Sequence, residues 1–172
     1  MEPAAIRVMF TIERMVAVHF WNDQLRAKVE EVQVDPETWV DGLERATIDG
    51  SIAAMRAFSD FVAHSPKAHP TDLCAGDFPR LSLTRNTIPY TEKKVAEIHL
   101  FHLTQHGLPE NSARTPYRKW LVDLLVPAME FCDYVSMNPA FSGQLRDKAR
   151  EAKLISNHVR ERLIELIKLE ER

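Results

Sequence analysis

The sequence predicts an all-α protein, an antiparallel up-down helical bundle of four to six helices in a single domain over residues 1–172. Apolar residues recur every three or four positions through most of the chain, which is typical of amphipathic helices. The chain has only 5 glycines in 172 residues, which disfavours the many tight turns of an all-β fold. A hydrophobic fraction of 45% is enough for a core of its own.

Two long helices are predicted first. Residues 4–31 form the first, because apolar side chains and charges alternate there at helical spacing. Asp35 and Pro36 then mark a helix start, since aspartate can accept hydrogen bonds from the first N–H groups and proline at the first helical position loses none. The second helix runs from there to about His64. The apolar positions of the first helix are Ile6, Met9, Phe10, Val16, Phe20 and Leu25.

A long connection with four prolines follows over about residues 65–90. One short helical turn is predicted within it, near residues 72–78. Thr91 can cap a third helix that runs to about His106, and Gly107 is placed to end it. Connections this long are often functional in compact domains.

Two helices are predicted in the last third. Thr115 and Pro116 begin the fourth helix. Asn138 or Ser142 begins a long C-terminal helix over about residues 140–169. Its apolar positions alternate four and three residues apart, a heptad-like seam that favours a homodimer. They are Leu145, Ala149, Ala152, Ser156, Val159, Leu163 and Leu166.

Composition and charge limit the compartment and the partners. The net charge of −3 does not demand a nucleic acid or an anionic membrane. Cys74 and Cys132 are predicted to be buried free thiols of a reducing cytosol. Charged residues interrupt the apolar positions at the N-terminus, and no uncharged run is long enough to span a bilayer. We therefore expect a cytoplasmic protein with no membrane partner.

Several short motifs occur in a distinctive order in the middle of the chain. The run IAAMRAFSDF at 52–61 precedes the proline-rich connection, and DLCAGDF follows at 72–78. Further on come KKVA at 93–96, FHLT at 101–104, and Trp120 near a new helix start. This order resembles bacterial helical proteins of the HEPN superfamily, the nucleotide-binding proteins of higher eukaryotes and prokaryotes.

The resemblance covers about residues 36–135 and implies a dimer-prone bundle of long helices. Many HEPN domains cleave RNA without a metal, through an arginine and a histidine a few residues apart. The nearest match here is Lys94 with His99, and lysine is not a planar, bidentate phosphate clamp. We therefore expect a non-catalytic module for nucleotide or RNA binding, or for a toxin–antitoxin or defence role. Were the protein a ribonuclease, Lys94, His99 and His102 would be its catalytic residues.

The histidines of the predicted third helix suggest a different function. His99, His102 and His106 fall on one stripe of that helix. Neutral imidazoles at this spacing can bind a transition metal, in an arrangement similar to that of the DinB-like four-helix metalloproteins. His19 or His64 would have to supply a further ligand. The alternative function is thus a metal-binding enzyme with His102 and His106 on a divalent transition metal; otherwise no cofactor is expected and the histidines are structural.

A small anion site is the other candidate. Arg56 and Asp60 lie one turn apart on the second helix, and Arg85 and Lys93 flank the end of the connection. Together they could bind a phosphate or a phosphodiester, although they are too few for a broad nucleic-acid surface. Two structural alternatives stay open: an Arg–Asp contact that anchors the connection, and a module that serves only for dimerisation.

Overall fold

The protein is all-α over the residues that the structure describes. The computed structural model describes residues 1–31, 36–63, 72–89 and 114–171, with side chains except at 18, 20–48 and 114–116. These ranges form a helical bundle without a β-strand, as predicted. The helices are α1 (Glu2–Glu31), α2 (Pro36–Ala63), α3 (Arg114–Met137) and α4 (Gly143–Glu170). The predicted third helix lies outside the described residues, so the helix count and the up-down arrangement of the whole chain stay predictions.

The helix ends agree with the capping signals in the sequence. The second helix begins at Pro36, where proline at the first helical position was predicted. Ser142 caps α4, because its Oγ accepts a hydrogen bond from the N–H of Leu145 at 3.4 Å. The same hydroxyl donates to Oε1 of Glu2 at 2.5 Å. One side chain therefore caps α4 and ties it to the first turn of α1.

The first helix packs against the three other helices. Ile6 and Phe10, which the sequence pattern placed among its apolar positions, are 38% and 57% exposed. Their assignment to the inward face of the helix is therefore wrong. A second set of positions has the same spacing of three or four residues and includes small side chains, and it is this set that is buried. This buried stripe consists of Ala5, Val8, Met9, Ile12, Met15 and Val16.

The helices α3 and α4 pair in opposite directions. Lys153 Nζ lies 2.7 Å from Asp133 Oδ2, and Lys119 Nζ lies 3.0 Å from Glu171 Oε1 near the end of α4. The heptad-like seam of α4 is confirmed as buried. It packs inside the chain, so it does not by itself offer a surface to a second copy, and the homodimer stays a prediction. The buried seam residues are Leu145, Ala149, Ala152, Ser156, Val159 and Leu163.

Residues 72–89, called the strap here, run from the cleft described below to the faces of α2 and α3. The strap starts with a 3₁₀ turn over Ala75–Asp77, which confirms the short helical turn predicted near 72–78. Phe78 follows and is buried. Its ring lies edge-on to Phe61 of α2 and Phe131 of α3, with centroids 5.9 Å and 5.2 Å away. This ring fastens the strap to both helices.

Hydrogen bonds hold the rest of the strap. The N–H and the hydroxyl of Thr84 both donate to the carboxylate of Glu130 on α3, each at 2.6 Å. Four residues on, the N–H of Ile88 donates to Ser59 Oγ of α2 at 2.9 Å. Ser59 and Ile88 are both buried, so this bond satisfies two polar groups that water does not reach.

Both cysteines are free thiols, as predicted. Cys132 is buried and Cys74 only half-buried, so the burial prediction holds for Cys132 alone. Burial raises the pKa of Cys132 to about 12, which makes it unreactive at neutral pH. Among the described helices, none combines the length and the apolar character needed to cross a membrane.

Candidate functional site

Most side chains predicted to be functional lie outside the described residues. The ribonuclease and metal hypotheses depend on them and stay predictions. In the part of the chain that the structure does describe, no three His, Cys, Asp or Glu residues are grouped as a metal site. The predicted residues outside the description are His64, Lys93, Lys94, His99, His102 and His106.

The described residues of the predicted anion site are Arg56, Asp60 and Arg85. Asp60 lines a cleft. Arg56 lies one turn earlier on α2 and is half-buried, and Arg85 is exposed on the strap beside Thr84. The described lining of the cleft includes Asp60 and neither of these two arginines.

This cleft, of about 530 Å³, lies where α1, α2 and the start of the strap meet. Arg7 and Thr11 line it from α1, Asp60 from α2, and Asp72 and Cys74 from the strap. Small-molecule sites in proteins usually measure about 300–1,000 Å³ and combine an apolar lining with a few polar groups. The apolar lining residues here are Val8, Ala57, Phe58, Phe61 and Leu73.

Local hydrogen bonds fix the polar walls. Thr11 Oγ1 donates to the carbonyl of Arg7 at 3.0 Å, one turn back on α1. On the strap, the N–H of Cys74 donates to Oδ2 of Asp77 at 2.8 Å, and the N–H of Asp77 donates to the carbonyl of Cys74 at 3.0 Å. These two bonds close the turn that follows Asp72, so the strap side of the cleft is formed before a ligand arrives.

Charge and hydrogen-bonding capacity define what the cleft can bind. Arg7 is the one basic side chain among its described lining residues, and Asp60 and Asp72 are acidic. An arginine can hold an oxyanion through two parallel N–H groups, whereas carboxylates accept hydrogen bonds from hydroxyl and amino groups. Arg7 can therefore pair with an anionic group, while Asp60 and Asp72, which also take part in interactions within the protein, can accept further hydrogen bonds.

Sequence reasoning missed Arg7 and Thr11. They lie four residues apart on α1 and next to the buried positions Val8 and Ile12. A polar pair at helical spacing along the edge of an apolar stripe was the available signal. The apolar positions predicted for α1 combine the exposed Ile6 and Phe10 with the buried Met9 and Val16, so the edge of the buried stripe was not recognised.

A second polar group lies inside the bundle and joins three helices. Ser51 of α2 donates from Oγ to the carbonyl of Met15 on α1, at 2.6 Å. The hydroxyl of Tyr117 on α3 lies 2.9 Å from the same Oγ. Because Ser51 has only one hydrogen to donate, Tyr117 is the donor in this bond. The ring of His19 is next to that of Tyr117, with centroids 6.1 Å apart.

His19 is neutral in this environment. Burial, together with the smaller effect of the positive charges of Arg118 and Arg162, lowers the pKa of His19 to about 4. The Nε2 atom of His19 is buried and has no hydrogen-bond partner among the described residues. Burial raises the pKa of Tyr117 to about 12, so that its hydroxyl keeps its proton. The cluster of His19, Ser51 and Tyr117 thus connects α1, α2 and α3 at neutral pH.

Comparisons with known protein-family models, with curated protein sequences and with solved structures found no match.

Proposed function

We propose that the protein is a non-catalytic, HEPN-like binding module of the bacterial cytoplasm, and that the cleft between α1, α2 and the strap binds a nucleotide. The observation that carries this proposal is the composition of the cleft. One arginine and two aspartates stand around an apolar surface in about 530 Å³. Aspartate is a frequent partner of ribose hydroxyls and arginine of phosphate oxygens.

The size and charge of the cleft favour a small nucleotide over a long RNA. Binding along an RNA strand uses a positively charged groove that follows several phosphates. The described lining offers one basic side chain, Arg7, and two carboxylates. A defence or toxin–antitoxin role would then be exerted through a bound nucleotide.

Nucleotide binding is tested by calorimetry with the full chain and its Arg7→Gln variant. We expect wild type to bind at least one nucleotide of a panel covering the common bases and phosphate numbers. Arg7→Gln should weaken that binding about tenfold or more, because a charged hydrogen bond to phosphate is lost. Arg150→Gln is the matched control, since Arg150 is exposed on α4 and pairs with Asp147. The absence of any nucleotide binding, or equal losses in both variants, would refute the proposal.

The non-catalytic part of the proposal is tested with RNA. Wild-type protein should leave single-stranded and structured RNA intact over long incubation. Cleavage that disappears in His99→Ala would show that the Lys94–His99 pair is catalytic after all.

We also propose that the whole chain is an up-down bundle that forms a homodimer. The resemblance to HEPN proteins supports this, whereas the α4 seam does not, because it is buried within the chain. Light scattering coupled to size exclusion should give twice the mass of 19.8 kDa. A monomer at all concentrations would contradict the dimer and leave the binding proposal standing.

A further inference from the structure

Pro127 interrupts the hydrogen-bond pattern of α3. In a regular α-helix the N–H of residue 127 would donate to the carbonyl of Asp123, one turn earlier, and proline has no N–H. Pro127 is fully buried, so its ring is part of the core. The carbonyl of Asp123 therefore lacks the donor that a regular helix would give it.

The strap supplies a donor to this carbonyl. Nδ2 of Asn86 lies 3.1 Å from the carbonyl oxygen of Asp123. Because a carbonyl can only accept, the amide nitrogen is the atom of Asn86 that faces it. The preceding carbonyl, that of Val122, accepts a hydrogen bond from Nε of Arg160 on α4 at 3.3 Å. The turn of α3 before the proline thus offers carbonyls to two neighbouring segments.

Asn86 lies where the strap crosses from α3 to α2. Two residues before it, Thr84 is bound to Glu130 of α3. Two residues after it, the N–H of Ile88 donates to Ser59 of α2. The N–H of Asn86 itself donates to the carbonyl of Thr84 at 2.8 Å, which closes a three-residue turn with one hydrogen bond of its own. The position of this turn on the bundle is therefore set by the contacts around it.

We propose that the break at Pro127 is a docking point for the strap, where the carbonyl of Asp123 recognises the side-chain amide of Asn86 and so positions the turn between α3 and α2. The proline creates this site, because any other residue at position 127 brings an N–H that competes for the same carbonyl. Asn86 is thus a positioning residue of the strap. The inference goes beyond the proposed nucleotide binding and does not depend on it.

Hydrogen exchange of the full chain tests the inference, with Asn86→Ala introduced alone and together with Pro127→Ala. The readout is the protection factor of the amides of Thr84 and Ile88, which hold the strap to α3 and α2. In the wild-type background, Asn86→Ala should lower this protection about fivefold, as expected for the loss of one hydrogen bond. With Pro127→Ala present, the same substitution should lower it by less than about twofold, because the N–H of residue 127 then donates to Asp123.

Two further variants keep the comparison specific. Ser82→Ala, at an exposed position of the strap, is the matched control and should leave both protection factors unchanged. Pro127→Val also restores the N–H and keeps more of the buried volume, so the test does not depend on one replacement of the proline. Thermal unfolding of each protein shows whether its fold is retained.

Two results would overturn the inference. If Asn86→Ala leaves the protection of both amides at the wild-type level, the side-chain amide does not position the strap. If Asn86→Ala lowers the protection equally with and without the proline, the break in α3 does not create the docking point.

Discussion

In most of the bundle, apolar side chains of one helix pack against those of another. The strap and the cluster of His19, Ser51 and Tyr117 both differ from this packing, and they do so in opposite ways. The strap is mostly loop, yet it inserts an aromatic ring, Phe78, into the core between α2 and α3. The cluster belongs to regular helices, yet it places polar groups inside the bundle and leaves Nε2 of His19 without a described partner. The loop is thus held by a buried ring as well as by hydrogen bonds, whereas the helices contain the buried polar atom that has no described partner.

This difference indicates which region should respond to substitutions at any pH and which should respond to a change of pH. The strap forms one wall of the cleft through Asp72, Leu73 and Cys74. Further along the strap, its backbone is held by Phe78 and by hydrogen bonds to Ser59 and Glu130. A binding site attached to such a segment is preorganised. The cluster, in contrast, makes the stability of the bundle dependent on the protonation of one imidazole. We therefore expect large pH-independent effects at the strap and pH-dependent effects at the cluster.

The largest effect is expected for Phe78→Ala. Removing a buried phenylalanine costs about 3–5 kcal/mol of the free energy of unfolding, because a transfer and a cavity contribution add up. Urea unfolding at pH 7 measures this loss. Phe10→Ala is the matched control, since Phe10 is 57% exposed and its removal should change stability by about 0.5 kcal/mol or less. Equal effects of the two substitutions would show that the strap is not anchored by its ring.

The next effect concerns pH. The pKa of His19 is lowered from its ordinary value of 6.5 to about 4 in the folded protein, so between these values the unfolded chain binds more protons. Stability therefore falls as the pH drops from 6.5 towards 4, by at most about 1.4 kcal/mol per pH unit and about 3 kcal/mol in all. Above pH 6.5 the group is neutral in both states and contributes no slope.

Paired variants isolate this contribution from the carboxylates that titrate in the same range. Between pH 6.5 and 4, His19→Gln should lose stability less steeply than wild type. His158→Gln, at an exposed position of α4, should follow wild type. Parallel pH profiles for all three proteins would contradict the neutral, buried state of His19.

The sequence was most informative where local signals and packing agree. The start of α2 at Pro36 and the cap of α4 at Ser142 follow from hydrogen-bonding chemistry within a few residues, and the seam of α4 follows from strict heptad spacing. The interior face of α1 was harder, because the larger side chains Ile6 and Phe10 suggested a stripe that the structure exposes.

The residues that line the cleft could not have been predicted from their spacing in the sequence alone. It unites Arg7 and Asp60 from two helices with Asp72 from a loop, and their proximity depends on how α1 packs against α2 and on where the strap returns. The motif DLCAGDF illustrates the same limit. Its order suggested a functional loop, but Asp77 closes a turn and Phe78 fills the core, while Asp72, Leu73 and Cys74 face the cleft.

A smaller effect is expected where the strap meets α2. Ser59→Ala removes the acceptor of the Ile88 N–H and leaves this buried donor unsatisfied, which costs about 1–3 kcal/mol. Thermal unfolding should show the loss, and hydrogen exchange at the Ile88 amide should become faster. Ser82→Ala, at an exposed position of the strap, is the control and should change neither. An unchanged exchange rate in Ser59→Ala would mean that the strap is held without this bond.

The smallest effect has the opposite sign and concerns the turn after Phe78. The N–H of Leu81 donates to the carbonyl of Phe78 at 3.1 Å, and Arg80 has a φ of 66°, so that Pro79 and Arg80 occupy the two central positions of a type II turn. A non-glycine residue in the left-handed region costs about 1–2 kcal/mol, whereas glycine is freer in the unfolded chain. Arg80→Gly should therefore stabilise the protein by about 0.5 kcal/mol, measurable as a higher Tm. Arg80→Ala also removes the guanidinium but keeps a side chain in the left-handed region, so it should give no such gain. If alanine stabilises as much as glycine, the gain comes from the lost charge, and the left-handed backbone at residue 80 is not strained.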